Sequence, residues 1–207
     1  MVHIRRSALA WLVLGAWLTQ PVVRADLIYY RPDEPITFGI GTYDLDMDFD
    51  GTIDIQLRTT GSALDCTPSG DNAVLAIPQA PPDVGSLVLP LQLGDPVGPT
   101  PTPPNTWVSA GGSPWFVSCQ GEGCIGLWQY PNDNAYFGLQ FDIDGETHYG
   151  WVHLENSIYG VQATIHEWAY ESTPDTGLSA GVIPEPATML LLLGGLGVLA
   201  LHMKRAL

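Results

Sequence analysis

Four aspartates within one short stretch have the spacing that metal binding requires. Residues 46–54 read Asp-Met-Asp-Phe-Asp-Gly-Thr-Ile-Asp, so carboxylates stand at positions 1, 3, 5 and 9 of the stretch. Calcium takes about six to eight oxygen ligands, which alternate carboxylates in a tight loop can supply. Gly51 would permit the sharp turn at position 6, and the backbone carbonyl at position 7 is a usual further ligand. The sequence therefore predicts a structural calcium ion held by Asp46, Asp48, Asp50, Thr52 and Asp54.

The stretch resembles EF-hand-like calcium loops, including those of β-rich extracellular proteins. It departs from the complete EF-hand at position 12, where Leu57 stands in place of the bidentate glutamate. This departure argues against a helix–loop–helix unit, and it leaves Asp54 or a distant residue to complete the calcium shell.

A plain β-hairpin is the alternative interpretation of the same stretch. Residues 42–49 alternate apolar and polar side chains, and residues 52–57 alternate again after Asp50-Gly51. This pattern predicts two strands joined by a two-residue turn. The acidic side chains would then repel one another on one strand face, a cost that a bound cation would relieve. We therefore prefer the calcium loop to a solvated acidic hairpin.

The segments that must position these aspartates have the pattern of β-strands. Tyr136–Ile143 alternates before Asp144-Gly145, and Glu146–Leu154 continues after it, which predicts a second hairpin. Residues 79–105 are rich in proline and so belong to a surface loop or a sheet edge. Further strand-like segments lie at 74–77, 87–93, 107–118, 125–130 and 159–169. The predicted fold class is all-β, an antiparallel β-sandwich or barrel formed by an acidic ectodomain over residues 26–183.

The charge of residues 26–183 limits the possible partners. This segment holds 21 of the 22 acidic residues but only Arg31 and Arg58 of the seven basic ones, a formal charge of −19. Nucleic acid is excluded as a partner because its phosphates would be repelled. Metal cations, basic proteins and neutral glycans remain, or no partner at all if the charge serves solubility. Five tryptophans could stack on the sugars of an exopolysaccharide or simply form the core: Trp107, Trp115, Trp128, Trp151 and Trp168.

The motifs of common enzyme classes are incomplete. His148 and His153 are five residues apart, so a strand would point them to opposite faces. His166-Glu167 begins like the zinc-protease motif, but Tyr170 stands where the second histidine is required. Residues 121–126 spell G-x-G-x-x-G without a βαβ unit, and there is no G-x-S-x-G or Walker motif. The sequence therefore predicts a non-enzymatic protein with no catalytic residues.

Three cysteines occur in the chain, at positions 66, 119 and 124. In an oxidising compartment one disulfide and one spare thiol are expected, and three pairings are possible. Cys119 with Cys124 closes the shortest loop, so this pair is favoured slightly over the two that involve Cys66.

The N-terminus has the pattern of an export signal. Arg5 and Arg6 precede an apolar run over residues 7–19, Pro21 breaks it, and Ala25 stands at a suitable cleavage position. We expect residues 1–25 to be a cleaved signal peptide, and an uncleaved anchor is the alternative.

The C-terminus carries a pattern of three parts. Pro184, Glu185 and Pro186 come first, an apolar run over residues 187–203 follows, and Lys204-Arg205 ends it. A helix of that length would span roughly 25 Å, close to the hydrocarbon core of a bilayer, and the two cations could reach the headgroups. We therefore predict a transmembrane helix with a basic tail, for which a plain single-pass anchor is the simplest role.

The order of these parts resembles the PEP-CTERM sorting signal of Gram-negative bacteria. In that family an exosortase recognises and processes the signal during export. The resemblance implies that Pro184, Glu185 and Pro186 form the recognition motif within residues 184–207, and that the apolar helix is a membrane anchor. It also implies delivery to the cell surface or extracellular matrix, in organisms that make exopolysaccharide.

Three hypotheses follow for the function. The first is an exported, membrane-tethered or surface-sorted protein of the extracellular matrix or biofilm, with a structural calcium loop. The second is a secreted glycan hydrolase, which would need a pair of carboxylates about 5 Å or about 6.5–9.5 Å apart, and only a pair in a cleft with a carboxyl of raised pKa would count as evidence. The third is a purely structural surface module whose partners are the exosortase and the export machinery.

Overall fold

β-Strands make up the described part of the chain, which covers residues 26–79, 85–112, 114–120, 123–128, 133–156 and 162–183 of the computed structural model. The strands are β1 (Leu27–Tyr30), β2 (Ile36–Phe38), β3 (Gly41–Leu45), β4 (Ile55–Thr59), β5 (Ala63–Pro68), β6 (Ala73–Pro78), β7 (Ser86–Val88), β8 (Pro96–Val97), β9 (Thr106–Ser109), β10 (Trp115–Gln120), β11 (Gly123–Gly126), β12 (Asp133–Ile143), β13 (Glu146–Asn156), β14 (Ala163–Glu171) and β15 (Leu178–Ser179). A single 3-10 turn, Ala110–Gly112, separates β9 from β10. The predicted all-β class is confirmed.

Thirteen of these strands form one sheet. Its main path runs β1-β14-β13-β12-β6-β7-β10-β5-β4-β3, with β11 beside β10, β2 beside β14 and β9 beside β6. The described pairs are antiparallel except β7 with β10, which run parallel. The sheet curls into an open half-barrel. Thirteen of the described strands thus form one curved sheet, where the sequence predicted the two facing sheets of a sandwich or a closed barrel.

The β12–β13 hairpin is the longest pairing of the sheet and confirms the prediction for this segment. Its register runs from Asp133 opposite Asn156 to Ile143 opposite Glu146. Asp144 and Gly145 connect the strands with φ values of 54° and 85°. Left-handed backbone at both central residues matches the twist of the flanking strands, which is why Asp-Gly favours this turn.

The β3–β4 hairpin differs from the prediction in its connection. The strands pair from Gly41 opposite Thr59 to Leu45 opposite Ile55, so residues 46–54 form a loop. The two-residue turn predicted at Asp50-Gly51 is therefore wrong. The physical reason is that backbone amides of this segment donate to aspartate side chains instead of to a facing strand.

Apolar side chains are buried on both faces of the sheet. Alternation along β13 separates two clusters: Val152 and Leu154 belong to the larger one, while Tyr149 and Trp151 belong to the smaller one. The proline-rich segment covers the smaller cluster through Leu91 and Val97. Here β8 pairs with β15 as a separate two-stranded sheet, in keeping with the predicted surface position of the prolines.

The predicted signal peptide (residues 1–25) and transmembrane helix (residues 187–203) lie outside the described residues. Within the described ranges, no helix has the length and hydropathy needed to cross a membrane.

Candidate metal centre

Three aspartates of the β3–β4 loop point their carboxylates at a common space. One oxygen each from Asp46, Asp48 and Asp50 lies within 4.8 Å of the other two. Backbone amides fix these side chains: the Asp46 carboxylate accepts from Phe49 N at 2.7 Å and from Gly51 N at 2.9 Å. Asp50 accepts in the same way from Thr52 N at 2.6 Å. The loop is therefore folded around its own carboxylates.

Asp54, the fourth predicted carboxylate, lies beneath the loop and outside this group of three. Its side chain accepts hydrogen bonds from Met47 N at 2.7 Å and from Asn72 Nδ2 at 3.0 Å. It is buried, with 4% of its surface exposed. Asp54 thus supports the loop from below, next to the three converging carboxylates.

Among the described residues, no ion pair joins a basic side chain to the carboxylates of the loop. Burial raises the pKa of Asp54 to about 6, and the charges of Asp48 and Asp46 add to this effect. Burial also raises the pKa of Asp48, with Asp50 and Asp46 contributing. The two arginines of the described chain contact other carboxylates, Arg58 with Asp65 and Arg31 with Glu167. Burial is the largest cause of both shifts, and a cation at this loop would relieve the part that comes from repulsion between the carboxylates.

Backbone conformation and one tryptophan hold the loop against the sheet. Phe49 and Gly51 adopt left-handed backbone, with φ values of 64° and 91°. Met47 is buried, and its carbonyl accepts a hydrogen bond from Trp168 Nε1 at 3.0 Å. Since Trp168 belongs to β14, the loop is tied to a strand more than a hundred residues away in sequence.

Sequence reasoning missed a second polar cluster, which lies on β13 and β14. The His153 and His166 rings are 4.9 Å apart between centroids. His153 Nδ1 lies 3.3 Å from a Glu167 carboxylate oxygen, and His166 Nε2 lies 3.0 Å from one of Glu155. The Tyr29 hydroxyl donates to Glu167 at 2.6 Å. Burial, then the neighbouring His166, lowers the pKa of His153, so this cluster holds a neutral imidazole near neutral pH.

A β-bulge explains why no sequence pattern predicted this cluster. His153 faces Glu167, but Leu154 faces Ile165, so β14 carries one extra residue at this point. The extra residue breaks the period-two alternation from which strand faces are predicted. His148 lies on the opposite face from His153, as predicted, and its Nδ1 is 2.8 Å from the Glu171 carbonyl oxygen.

The other predicted site residues fall into two groups. Cys119 and Cys124 face each other in the β10–β11 pair and form a disulfide. Cys66 is a buried free thiol, and burial raises its pKa well above the usual value. The sorting residues Pro184, Glu185, Pro186, Lys204 and Arg205 lie outside the described residues.

A cleft of about 360 Å³ opens beside the acidic loop. Asp50 and Asp54 line it from the loop, and Asp142 and Asp144 line it from the β12–β13 turn. Ser69, Asp71 and Asn72 line it from the segment between β5 and β6. A carboxyl of raised pKa therefore borders a cleft, which is one of the two features that the hydrolase hypothesis requires.

Comparison with known proteins identifies the C-terminal segment. A family model described as the PEP-CTERM protein-sorting motif matches residues 182–206, about an eighth of the chain. No curated protein and no solved structure matches the chain. The match covers the Pro-Glu-Pro element, the apolar run and the basic pair, and so agrees with the prediction for this segment. The chain therefore carries a PEP-CTERM protein-sorting motif, the mark of exported proteins that an exosortase sorts through their C-terminus.

Proposed function

We propose that this chain is a non-enzymatic, surface-sorted protein that associates with extracellular polysaccharide and whose acidic loop holds a structural calcium ion. The observation that carries the calcium assignment is the convergence of the Asp46, Asp48 and Asp50 carboxylates. The sorting motif supports the placement at the cell surface.

The geometry of the loop suits calcium. Ligand oxygens at about 2.3–2.6 Å from one ion stand at most about 5 Å apart, and the three carboxylates meet this limit. Calcium also accepts backbone carbonyls and waters, so Thr52 and solvent complete the shell in this proposal. Because the loop already bends its carboxylates inward, an ion would bind without rearranging the backbone.

The association with polysaccharide has two supports. The acidic surface repels anionic polymers but leaves neutral glycans as compatible partners. Aromatic side chains reach the surface beside the loop, where Phe49 and Tyr30 are both exposed. Hydroxyl-rich polymers suit such a surface, because carboxylates accept their hydrogen bonds and aromatic rings pack on their apolar faces.

Thermal unfolding of the full chain in a non-glycosidic detergent tests the calcium assignment. A ligand at about 100 times its Kd stabilises a protein by about 2.7 kcal/mol, which corresponds to a rise of roughly 5–10 °C in Tm for a domain of this size. We expect such a rise in millimolar calcium over chelator. Asp48→Asn should abolish it, whereas Asp33→Asn, the same charge change in an exposed bend, should leave it intact. An unchanged wild-type midpoint would refute the calcium loop.

The sorting role of the C-terminal motif has a separate test. Glu185→Ala should block C-terminal processing and retain the protein in the membrane fraction, and Glu34→Ala serves as the control at an exposed ectodomain position. Normal processing and location of the Glu185 variant would contradict the assignment of this residue to exosortase recognition.

A glycan hydrolase is the second candidate function. One observation favours it, the Asp54 carboxyl with a pKa of about 6 at the edge of the aspartate-lined cleft. Incubation of the protein with polysaccharide from its producing organism, followed by measurement of new reducing ends, separates the two candidates. Release of sugars that disappears in Asp54→Asn would replace our proposal by the hydrolase.

A further inference from the structure

Phe49 is an unusual residue for its position at the tip of the acidic loop. Its φ of 64° lies in the left-handed region, which glycine and asparagine adopt easily and a bulky aromatic residue does not. Phe49 is also 60% exposed, so burial of its ring offsets only part of the free energy that this backbone conformation costs. Folding alone therefore does not account for phenylalanine at this position, and a binding role is the hypothesis to test.

Phe49 belongs to a group of three aromatic rings, which we call the aromatic shelf: Tyr30, Phe49 and Trp168. The ring centroids of Tyr30 and Phe49 are 4.8 Å apart, with their planes inclined at 66°. Trp168 lies beneath both, 4.3 Å from Tyr30 and 5.8 Å from Phe49, and is itself buried. Trp168 thus forms a rigid base that presents the two outer rings to solvent.

The surroundings of the shelf define what it can bind. Tyr30 lies on β1, the strand at one end of the sheet path, so an extended polymer can approach from that side. Asp48 and Asp50 flank Phe49 in the chain and offer carboxylate oxygens as acceptors. The tyrosine hydroxyl adds a group that can donate or accept.

Size and charge favour a glycan over a protein at this shelf. A stable protein interface buries about 800 Å² on each partner. The exposed apolar surface here is much smaller, since it comes from the side chains of Ile28, Tyr30 and Phe49. A pyranose ring has a small apolar face that matches one aromatic ring and a rim of hydroxyls that donate to carboxylates. The acidic flanks repel uronic acids and other anionic sugars.

We propose that the aromatic shelf is the binding site for a neutral polysaccharide chain, with Tyr30 and Phe49 stacking on sugar rings and the flanking aspartates accepting hydroxyl hydrogen bonds. This inference rests on the proposed association with extracellular polysaccharide and locates it on the molecule. The link from Trp168 to the Met47 carbonyl places the loop and the shelf in one unit. An ion that orders the loop would therefore also order Phe49.

Affinity electrophoresis of the full chain tests the shelf. The probe is extracellular polysaccharide from the producing organism, separated by anion exchange into neutral and acidic fractions. The informative variant is Phe49→Asn, since asparagine tolerates left-handed backbone and should keep the calcium-dependent rise in Tm. Tyr30→Ser is the second variant, and Ile40→Asn is the matched control, an exposed apolar residue at the opposite end of β3.

We expect the neutral fraction to retard the wild-type protein, each shelf variant to bind at least about fivefold more weakly, and the control to bind normally. Equal binding by wild type and Phe49→Asn would overturn the shelf while leaving the polysaccharide association in place. No retardation of the wild type by either fraction would overturn both, even if calcium still raised the Tm. Retardation by the acidic fraction alone would overturn the charge argument and the shelf with it.

Discussion

Asp54→Asn probes what it costs the protein to bury an ionised carboxyl beneath the acidic loop. The Asp54 carboxyl is buried, and its pKa rises from 3.8 to about 6, first through burial and then through Asp48 and Asp46. Between these two pH values the folded protein binds more protons at this group than the unfolded chain does. In the absence of calcium, the contribution of Asp54 to stability therefore falls as the pH rises from about 4 to 6, and stays low above that range.

The size of this effect follows from the shift itself. Each pH unit between the unfolded and folded pKa changes the free energy of unfolding by about 1.4 kcal/mol, so the full shift corresponds to about 3 kcal/mol. Asparagine carries no charge at either pH and removes this dependence. The variant also loses one acceptor for Met47 N or Asn72 Nδ2, which lowers its stability about equally at all pH values.

Urea unfolding of wild type and variant at pH 4.5 and pH 7.5 measures the difference, because the titrating groups that do not interact with Asp54 cancel between the two proteins. In chelator, wild type should lose about 2 kcal/mol more than the variant between these pH values, because at pH 4.5 the unfolded carboxyl is already mostly ionised and part of the full shift lies below this range. In saturating calcium that excess loss should disappear, since the ion favours the ionised carboxyl. Equal pH dependence of the two proteins in chelator would refute the reasoning.

Three further predictions concern other parts of the fold. Burial lowers the pKa of His153, so protonation of this imidazole below about pH 6.5 destabilises the folded protein. His153→Gln should therefore lose less stability on acidification than the wild type, which urea midpoints at two pH values measure. Replacing Cys119 and Cys124 by serine should cost about 2 kcal/mol by the loop-entropy relation for a separation of 5 residues, seen as a lower Tm without reductant. Gly150→Ala should destabilise the protein by about 1–3 kcal/mol in urea unfolding, since its Cβ would lie 2.8 Å from the backbone carbonyl oxygen of Ala169 on the neighbouring strand.

Local features of the sequence predicted the parts of the fold that local interactions determine. Asp144-Gly145 joins two alternating strands, and the turn formed there because both residues adopt left-handed backbone easily. The same dipeptide at Asp50-Gly51 did not form a two-residue turn, because Asp46 captures the amides of Phe49 and Gly51. The two interpretations of residues 46–54 therefore differed only in which acceptor the backbone amides use.

Long-range pairing accounts for what the sequence did not reveal. In the main sheet path β6 lies between β7, the next strand in the chain, and β12, a strand far along the chain. No local sequence pattern indicates that β6 pairs with β12. The His153 and His166 cluster depends on a bulge in β14, which alternation cannot indicate. The aromatic shelf likewise joins residues from β1, the β3–β4 loop and β14.

Asn72 shows how one buried polar residue couples the acidic loop to the rest of the sheet. Its Nδ2 donates to the Asp54 carboxylate and to the Asp54 carbonyl, and its Oδ1 accepts from Asp142 N at 3.0 Å. The floor of the loop and the end of the β12–β13 hairpin therefore share one amide group. If Asp54 shifted toward a bound ion, the Asn72 amide would lose its hydrogen-bond acceptor. Leaving this buried amide unpaired would cost free energy, so the contact with Asn72 opposes the shift. The loop is thus better suited to receive an ion through Asp46, Asp48 and Asp50, with Asp54 as a fixed charge beneath them.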